Sequence, residues 1–257
     1  MSLNEKVAIV TGISRGIGVA VARVLTEAGA RVFGVARTQP PQNVLPQGVR
    51  CFTTDVRNSK NVTETIRSVL EEAGTIDILI NNAGLEYFKP LIETTDDEYD
   101  LTLDTNLRGS FLFSRAVLPT FLAHRTGQIL FINSLSGLRG FAEDSVYCAS
   151  KHGLSGFADA LEEELRPHGV RVTSIYPGAT DTDLSAASWA PKGDPRRSFF
   201  LTPEDIAHAV IYVLDQPKRV AISRLVLRPF IELPYSDFLS TNLVADLMRE
   251  SQGPPAE

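Results

Sequence analysis

Short runs of apolar residues alternate along the chain with longer segments in which apolar residues recur every three or four positions. The short runs are rich in Val and Ile and predict β-strands over residues 6–10, 31–36, 49–54, 76–80, 128–133, 170–176 and 220–227. The longer segments predict α-helices over residues 17–28, 61–73, 96–124, 145–168 and 203–214. Strands that are apolar throughout and separated by helices indicate a parallel sheet covered on both faces. The predicted fold class is therefore α/β, with a doubly wound parallel sheet.

The chain shows no internal repeat and no linker between two domains. Its 257 residues fit one domain of this class, because α/β folds often use about 250 residues as a single unit. We expect residues 1–229 to form the domain, with a polar loop at 181–198. Residues 230–257 are expected to form a C-terminal tail with a short helix, whose apolar face carries Leu243, Val244, Leu247 and Met248.

Composition and charge narrow the classes of function. The chain is 43% hydrophobic and 22% charged, and its net charge of −6 argues against binding to nucleic acid or an anionic membrane. Cys51 and Cys148 cannot form a disulfide framework, and the four scattered histidines show no metal-ligand spacing. No apolar run approaches about 18 residues, and no signal peptide is evident, so the sequence favours the cytoplasm.

A glycine-rich turn joins the first predicted strand to the first predicted helix. Residues 11–18 read Thr-Gly-Ile-Ser-Arg-Gly-Ile-Gly. Glycines at such a turn let the backbone approach a pyrophosphate, and the helix N-terminus supplies amide donors for it. The spacing is G-x-x-x-G-x-G rather than G-x-G-x-x-G, so alone it is equally consistent with a structural turn.

The same residues also match a nucleophile motif. Residues 12–16 fit G-x-S-x-G, the strand-turn-helix elbow that presents a catalytic serine in α/β-hydrolases, and Ser14 would be that serine. Only eleven residues precede Gly12, however, so the upstream strands and oxyanion loop of a hydrolase would be missing. A serine hydrolase is therefore the weaker interpretation.

Tyr147 and Lys151 open the helix predicted at 145–168. Their i, i+4 spacing places them on one helix face, where the ammonium of Lys151 favours the phenolate of Tyr147. An isolated pair of this kind is also typical of an exposed surface helix. Its meaning therefore depends on the other motifs of the chain.

Six motifs occur in a fixed order, and together they are far more specific than any one of them. They are the turn at 11–18, Asn81-Asn82-Ala83-Gly84, Asn106, Ser134 thirteen residues before Tyr147, the pair Tyr147 and Lys151, and the segment from Pro177 to Thr182. Over roughly residues 5–229 the chain resembles the short-chain dehydrogenase/reductase family. The resemblance implies a Rossmann-type fold and an oxidoreductase that transfers a hydride between a nicotinamide cofactor and a carbonyl or secondary alcohol.

The resemblance also implies a role for each residue. Tyr147 would donate or accept the substrate proton, Lys151 would assist it and bind the nicotinamide ribose, and Ser134, rather than Ser136, would polarise the substrate oxygen. Asn106 would hold a water that relays protons to Lys151. The cofactor-binding residues would be Gly12, Ser14, Arg15, Gly16, Ile17, Gly18, Arg37, Asp55, Val56, Asn82, Ala83, Gly84, Tyr147, Lys151, Pro177, Gly178, Thr180 and Thr182.

The end of the second strand predicts which cofactor is used. Ala36 stands where family members that prefer NAD carry Asp, Arg37 follows it, and Arg15 lies in the glycine turn. Two guanidinium groups without a carboxylate suit a 2′-phosphate, so NADP(H) is the predicted cofactor, although two solvated arginines are the alternative.

The substrate is less defined. Aromatic candidates for an apolar pocket are Tyr87, Phe88, Phe141, Trp189, Phe199 and Phe200, and each could instead be a core or interface residue. Arg196 and Arg197 could meet an acidic substrate or carrier, or simply be solvated. The Thr-Gly … Asp-Gly-Gly ending common among acyl-carrier-protein reductases of the family is absent, which disfavours a 3-oxoacyl-carrier reductase.

The complete set of motif residues and the two long predicted helices each give a further expectation. A non-catalytic NADP-sensing regulator would keep the fold, but such proteins usually lose part of the Asn106, Ser134, Tyr147 and Lys151 set, which is complete here. Family members usually pair through the two long helices, here 96–124 and 145–168, so we predict a homodimer or homotetramer with a small-molecule substrate and no nucleic-acid or membrane partner.

Overall fold

The computed structural model of the protein describes residues 3–41 and 43–231. Its strands are β1 (Val7–Thr11), β2 (Arg31–Ala36), β3 (Arg50–Thr53), β4 (Ile78–Asn81), β5 (Gly127–Ile132), β6 (Val170–Pro177) and β7 (Arg224–Leu227). Its helices are α1 (Gly16–Glu27), α2 (Ser59–Ala73), α3 (Asp96–Leu103), α4 (Gly109–His124), α5 (Ser145–Leu165), α6 (Asp183–Ser188) and α7 (Pro203–Leu214). The bounds of most elements agree with the predicted ones within two or three residues.

The strands form one parallel sheet in the order β3-β2-β1-β4-β5-β6-β7. Because the chain runs outward from β1 in one direction and from β4 in the other, the order reverses between these two neighbours. A crevice opens at such a reversal beside the carboxyl ends of the strands, which is where ligands bind in open α/β sheets. The predicted doubly wound, Rossmann-type fold is confirmed.

Two apolar layers cover the sheet, as continuous apolar strands require. Successive β1 residues alternate between the layers, with Ile9 in the first and Val10 in the second. The first layer holds buried side chains of α2, α4 and α5, including Phe113 and Leu154. The second holds those of α1 and α7, including Leu25. The sheet is therefore a rigid support for the residues at its carboxyl edge.

Three predicted elements need correction. The helix at 96–124 is interrupted by a π-helical turn, Asp104–Arg108, which separates α3 from α4. The loop at 181–198 is not wholly irregular: it contains α6 and the 3-10 turn Pro195–Phe199. The last strand begins at Arg224 rather than 220, because the Val220 amide donates to the Pro217 carbonyl in a turn.

The division into a domain at 1–229 and a tail at 230–257 stays a prediction. The predicted helical face with Leu243, Val244, Leu247 and Met248 lies outside the described residues.

Candidate active site

The carboxyl ends of β1 and β4 are fastened together by side-chain hydrogen bonds. The Thr11 hydroxyl oxygen accepts from the backbone amides of Asn82 and Ala83, each at 3.0 Å. The Asn82 side-chain amide donates in return to the carbonyls of Thr11 at 2.9 Å and Gly12 at 3.1 Å. Thr11 and Asn82 therefore fix the position of the glycine turn relative to the rest of the sheet edge.

The glycine turn packs so closely that side chains cannot replace two of its glycines. Gly12 has φ of +73°, and a Cβ there would lie 2.8 Å from the Ala83 Cα. Gly18 does not line the groove beside the turn; a Cβ on it would collide with the Gly12 carbonyl oxygen. Gly18 therefore shapes the turn, and its predicted contact with the cofactor stays a prediction. No side chain caps α1 at Arg15, which leaves its first amides available to an anion.

A groove of about 190 Å³ runs from this turn to α5. Of the predicted cofactor-binding residues, those that line it are Gly12, Ser14, Arg15, Gly16, Ile17, Arg37, Asp55, Val56, Asn82, Ala83, Gly84, Tyr147, Lys151 and Thr182. No histidine lines the groove within the described residues, so Ser14 has no general base of the kind that a serine hydrolase needs. The groove geometry thus weakens the hydrolase alternative further.

The outer end of the groove has a positive character. Asp55 is held by Arg57, with 2.6 Å between Arg57 Nη2 and Asp55 Oδ2, and this hydrogen bond lowers the pKa of Asp55. Arg15 and Arg37 are exposed there, and neither forms an ion pair with another described residue. Their guanidinium groups are therefore available to a ligand at the end of β2, where Ala36 contributes no carboxylate.

Tyr147 and Lys151 lie in the first two turns of α5, where the groove meets a second, inner pocket. Lys151 is only 4% exposed, and its Nζ donates to the Ile132 carbonyl at 3.0 Å and lies 5.5 Å from the centroid of the Tyr147 ring. Burial lowers the pKa of Lys151 to about 8, and the nearby carboxyls of Glu86 and Asp144 oppose that shift. The pair is positioned as its helical spacing predicts.

Asn106 is placed by the π-helical turn, and its side chain is fully engaged. Its Oδ1 accepts from the Leu85 amide at 2.9 Å, and its Nδ2 donates to the Leu85 carbonyl at 2.9 Å and to Ser150 Oγ at 3.0 Å. A Cβ on Gly84 would lie 3.3 Å from Asn106 Oδ1 and 3.9 Å from Lys151 Nζ. The side chain thus anchors the segment after β4, and the Asn106 backbone carbonyl accepts from the Ser110 hydroxyl at 2.9 Å.

Ser134 is the N-cap of a short 3-10 turn, Leu135–Gly137, and lines the inner pocket with Tyr147. Its Oγ accepts from the Ser136 amide at 3.1 Å and can still donate into the pocket. The Ser136 hydroxyl, by contrast, donates to Asp144 Oδ2 at 3.0 Å. The two hydroxyls therefore differ in their surroundings, which agrees with choosing Ser134 over Ser136.

The inner pocket has a cavity volume of about 90 Å³ and aromatic walls. Phe88, Phe141 and Trp189 line it as predicted. The other predicted aromatic residues do not, and Phe200 instead supports Trp189 at 5.1 Å between ring centroids. Pro177, Gly178, Thr180 and Thr182 also line this pocket, and Thr182 and Leu184 line the groove as well.

The segment that carries α6 closes the pocket, and two arginines hold it in place. Arg197 pairs with Asp181 and donates to the Ala190 carbonyl at 2.6 Å, while Arg196 pairs with Asp194 at 2.6 Å. Arg197 is 12% exposed at its side chain. Neither suggestion for these arginines, a solvated pair or a contact to an acidic substrate, describes what they do: they brace the loop internally.

Two acidic residues of the inner pocket, Glu86 and Asp144, are not predicted from the sequence. Burial raises the pKa of Glu86 to about 8, helped by the charge of Asp144, and burial raises the pKa of Asp144 to about 6. The only sequence signal was their placement, two residues after the Asn-Asn-Ala-Gly motif and three before Tyr147.

Within the described ranges there is no helix long and apolar enough to span a membrane, and no cluster of three or more metal-ligating side chains.

Comparisons with known proteins agree with this architecture. The family described as short chain dehydrogenase matches residues 6–193. An uncharacterized oxidoreductase of Staphylococcus aureus (strain USA300) is 38% identical over 232 residues, which cover 88% of this chain and 98% of that protein.

Two solved structures share the fold. A metagenomic short-chain oxidoreductase in complex with NADP is 34% identical with a TM-score of 0.76, over 90% of this chain and all of that one. The closed form of a serine dehydrogenase complexed with NADP+ is 31% identical with a TM-score of 0.78, over 86% of this chain and 94% of that one. The match over most of the chain, together with the fold and the arrangement of Asn106, Ser134, Tyr147 and Lys151, shows that the protein belongs to the short chain dehydrogenase family of oxidoreductases.

Proposed function

We propose that this protein is an NADP(H)-dependent carbonyl reductase or alcohol dehydrogenase that uses Asn106, Ser134, Tyr147 and Lys151. The observation that carries the proposal is the position of Tyr147, which lines both the groove and the inner pocket, with the Lys151 ammonium 5.5 Å from its ring. A substrate in the pocket would therefore meet the nicotinamide end of a dinucleotide in the groove.

The groove fits a phosphorylated dinucleotide. The uncapped N-terminus of α1 suits the pyrophosphate, and Gly12 and Gly16 line the groove beside it. Arg15 and Arg37 supply two charges for a 2′-phosphate. Both solved relatives described above carry NADP or NADP+, which supports the same cofactor here.

The residues around the reacting centre divide the proton chemistry among them. When bound, the nicotinamide supplies or accepts the hydride. Tyr147 donates the proton to the carbonyl oxygen in reduction and takes it from the alcohol in oxidation, and the nearby Lys151 ammonium favours its phenolate. Ser134 donates to the same substrate oxygen and stabilises its developing charge.

The remaining residues align this centre. The Ile132 carbonyl holds the Lys151 ammonium at 3.0 Å, so Lys151 is fixed relative to the end of β5. Asn106 ties the segment after β4 to Ser150 of α5, which lies beside Lys151 in the helix. We infer that Asn106 is chiefly a positioning residue, and that it also holds the water that relays protons to Lys151.

The test is NADPH oxidation against a panel of small carbonyl compounds, followed by Tyr147→Phe with the best substrate. The variant removes only the hydroxyl, so kcat should fall by the ~10²–10⁴-fold typical of a lost acid-base group. NADPH affinity, measured by fluorescence titration, should change little. Tyr99→Phe, at an exposed position on α3, is the matched control. More than a tenth of the original kcat in Tyr147→Phe would mean that the acid is another group.

A further inference from the structure

Two carboxyl groups share the inner pocket with Tyr147, and the hydride mechanism uses neither. Glu86 is partly buried and lies in the segment after β4. Asp144 is 3% exposed and directly precedes α5. They lie close enough that the charge of Asp144 contributes to the raised pKa of Glu86. Leu184 and Ser185 of α6 line the same pocket, so Glu86 shares it with the segment that carries α6.

Within the described part of the chain, one oxygen of the Asp144 carboxylate has hydrogen-bond partners and the other has none. Its Oδ2 accepts from Ser136 Oγ at 3.0 Å and from Cys148 Sγ at 3.6 Å. Its Oδ1 is buried and has no hydrogen-bond partner in the described part of the chain. A buried carboxylate oxygen without a donor is unfavourable, and a ligand group that donates to it would relieve this.

Among the described residues, the lining of the pocket has no positive side chain to balance these acids. None of the described residues that line it is Lys, Arg or His, and Lys151 acts on the acids only from the groove side. Phe88 and Trp189 add aromatic surfaces, which attract cations as well as apolar groups. The Phe141 ring already carries a cation, because the Arg139 guanidinium lies 4.6 Å from its centroid. The carboxyl groups, the Asp144 Oδ1 atom without a hydrogen-bond donor and the aromatic walls together favour a ligand with a cationic donor group.

We propose that Glu86 and Asp144 form a subsite for an ammonium group, and that the enzyme acts on short amino alcohols and the corresponding amino ketones. Because the cavity is small, the ammonium would lie one or two bonds from the reacting carbon. The inference rests on the proposed function. In oxidation, the carbinol C–H bond gives its hydride to NADP+ and the hydroxyl proton goes to Tyr147, so the products are the amino ketone and NADPH.

Three probes with one scaffold test the subsite: 1-amino-2-propanol, 1,2-propanediol and 2-butanol. They differ only in the group on the CH2 next to the carbinol carbon, which is an ammonium, a hydroxyl or a methyl. Binding of each pure enantiomer to the NADP+ complex is measured by calorimetry near neutral pH. For the favoured enantiomer, we expect the amine to bind at least about tenfold more tightly than either neutral probe, as charge-assisted hydrogen bonds are stronger than neutral ones.

Variants then assign the preference to the carboxyl groups. Glu86→Gln keeps the size and removes the group that can ionise beside the ammonium, so the ratio of amine affinity to 2-butanol affinity should fall at least about fivefold. Glu164→Gln, at an exposed position on α5, makes the same charge change and should leave the ratio unaltered. The amine should also release up to one proton per site as Glu86 ionises beside it, whereas the diol should release none.

The outcomes separate this proposal from the proposed function. Equal affinities for the amine and 2-butanol, a diol that binds as tightly as the amine, or an unchanged ratio in Glu86→Gln would each overturn the ammonium subsite. NADPH formation is followed in parallel. Turnover of all three probes without an amine preference would leave the oxidoreductase function standing and remove only the subsite. Glu86-dependent binding of the amine with no turnover of any alcohol or carbonyl would support the subsite and contradict the proposed function.

Discussion

At the residue scale, Lys151, Glu86 and Asp144 form a group of ionisable side chains whose charges act on one another. Burial is the largest cause of each shift: it lowers the pKa of Lys151 and raises the pKa values of Glu86 and Asp144. The charge of Lys151 opposes the shift of each acid, and the acids oppose the shift of Lys151. Glu86 therefore keeps a proton in the folded protein at a pH where an exposed glutamate has lost it.

This proton makes stability depend on pH. Because the pKa of Glu86 is raised from 4.5 to about 8, the folded state holds one proton more than the unfolded state between these values. Stability from Glu86 is thus fully present below about pH 4.5 and is lost as pH rises through about 8. From pH 5 to pH 8 the unaltered protein should therefore lose free energy of unfolding that Glu86→Gln keeps. The difference between the two proteins should grow by about 1–3 kcal/mol in favour of the variant, measured by urea unfolding without cofactor.

The range from pH 5 to pH 8 isolates the contribution of Glu86 to the pH dependence of stability. The shift of Asp144 has the same sign but acts mainly below about pH 6, and it is present in both proteins. The shift of Lys151 acts in the opposite direction above about pH 8. Glu164→Gln serves as the exposed control. Parallel stability curves for Glu86→Gln and the unaltered protein would contradict the assignment of the proton to Glu86.

The end of β2 gives a second prediction at this scale. We expect NADPH to be preferred over NADH by roughly 10²-fold, because two arginines can each contribute about 1.5–3 kcal/mol to a charged phosphate. Ala36→Asp combined with Arg37→Ala should remove or invert the preference in kcat/KM. Arg67→Ala on α2 is a control that removes a guanidinium outside the groove. Equal kcat/KM for both cofactors in the unaltered enzyme would show that Arg15 and Arg37 are merely solvated.

At the scale of elements, the segment from Asp181 to Phe200 depends on a few side chains for its shape. Thr182 caps α6 by accepting from the Ser185 amide, and Arg197 connects Asp181, the Thr182 carbonyl and the Ala190 carbonyl. One guanidinium thus holds both ends of α6. Because Thr182 and Leu184 line the groove and the pocket alike, the position of this segment affects both ligands.

Arg197→Ala should therefore loosen the segment without unfolding the sheet. We expect faster amide hydrogen exchange over residues 181–199 and a KM for substrate that rises about tenfold, since the loss leaves carbonyl acceptors unpaired at a cost of about 1–3 kcal/mol. Lys192→Ala is the matched control in the same segment, because Lys192 is 80% exposed and pairs with Asp183 only at 3.5 Å. Unchanged exchange and KM in Arg197→Ala would show that other contacts hold the segment.

The elements differ in how far the sequence predicts them. Runs such as Val7–Thr11 are apolar on both faces, so their burial in a central parallel sheet follows from composition alone. Helix α6 was overlooked because its six residues, Asp-Leu-Ser-Ala-Ala-Ser, are too few for a helical period, and its capping depends on Thr182. Likewise, Tyr147 and Lys151 are four residues apart and predictable, whereas Glu86 and Asp144 meet only through the fold.

At the scale of the whole molecule, the surface carries apolar side chains that a single subunit leaves in water. Phe111 and Leu122 of α4 are 37% and 38% exposed. Phe111 also stacks edge-on against Phe157 of α5, so the exposed patch extends across the two long helices. This surface agrees with the predicted pairing through those helices, which the single chain itself does not test.

We expect a homodimer or homotetramer at micromolar concentration, with a mass two or four times the 28.1 kDa of the chain in light scattering. Phe111→Asp places a charge in the patch and should shift the equilibrium towards smaller species on dilution. Tyr212→Asp, at an exposed position on α7, tests whether the effect belongs to the long helices. A monomer mass for the unaltered protein would contradict the prediction.

The shared walls of the groove and the pocket have a consequence for the order of events in a catalytic cycle. Tyr147, Thr182 and Leu184 border both spaces, so a dinucleotide in the groove completes the floor on which a substrate rests. An alcohol that arrives first finds only part of its site, whereas a dinucleotide that arrives first creates it. Steady-state kinetics should therefore be compulsory-order, with the coenzyme entering first and leaving last, and its departure would be the slow step whenever the alcohol is abundant.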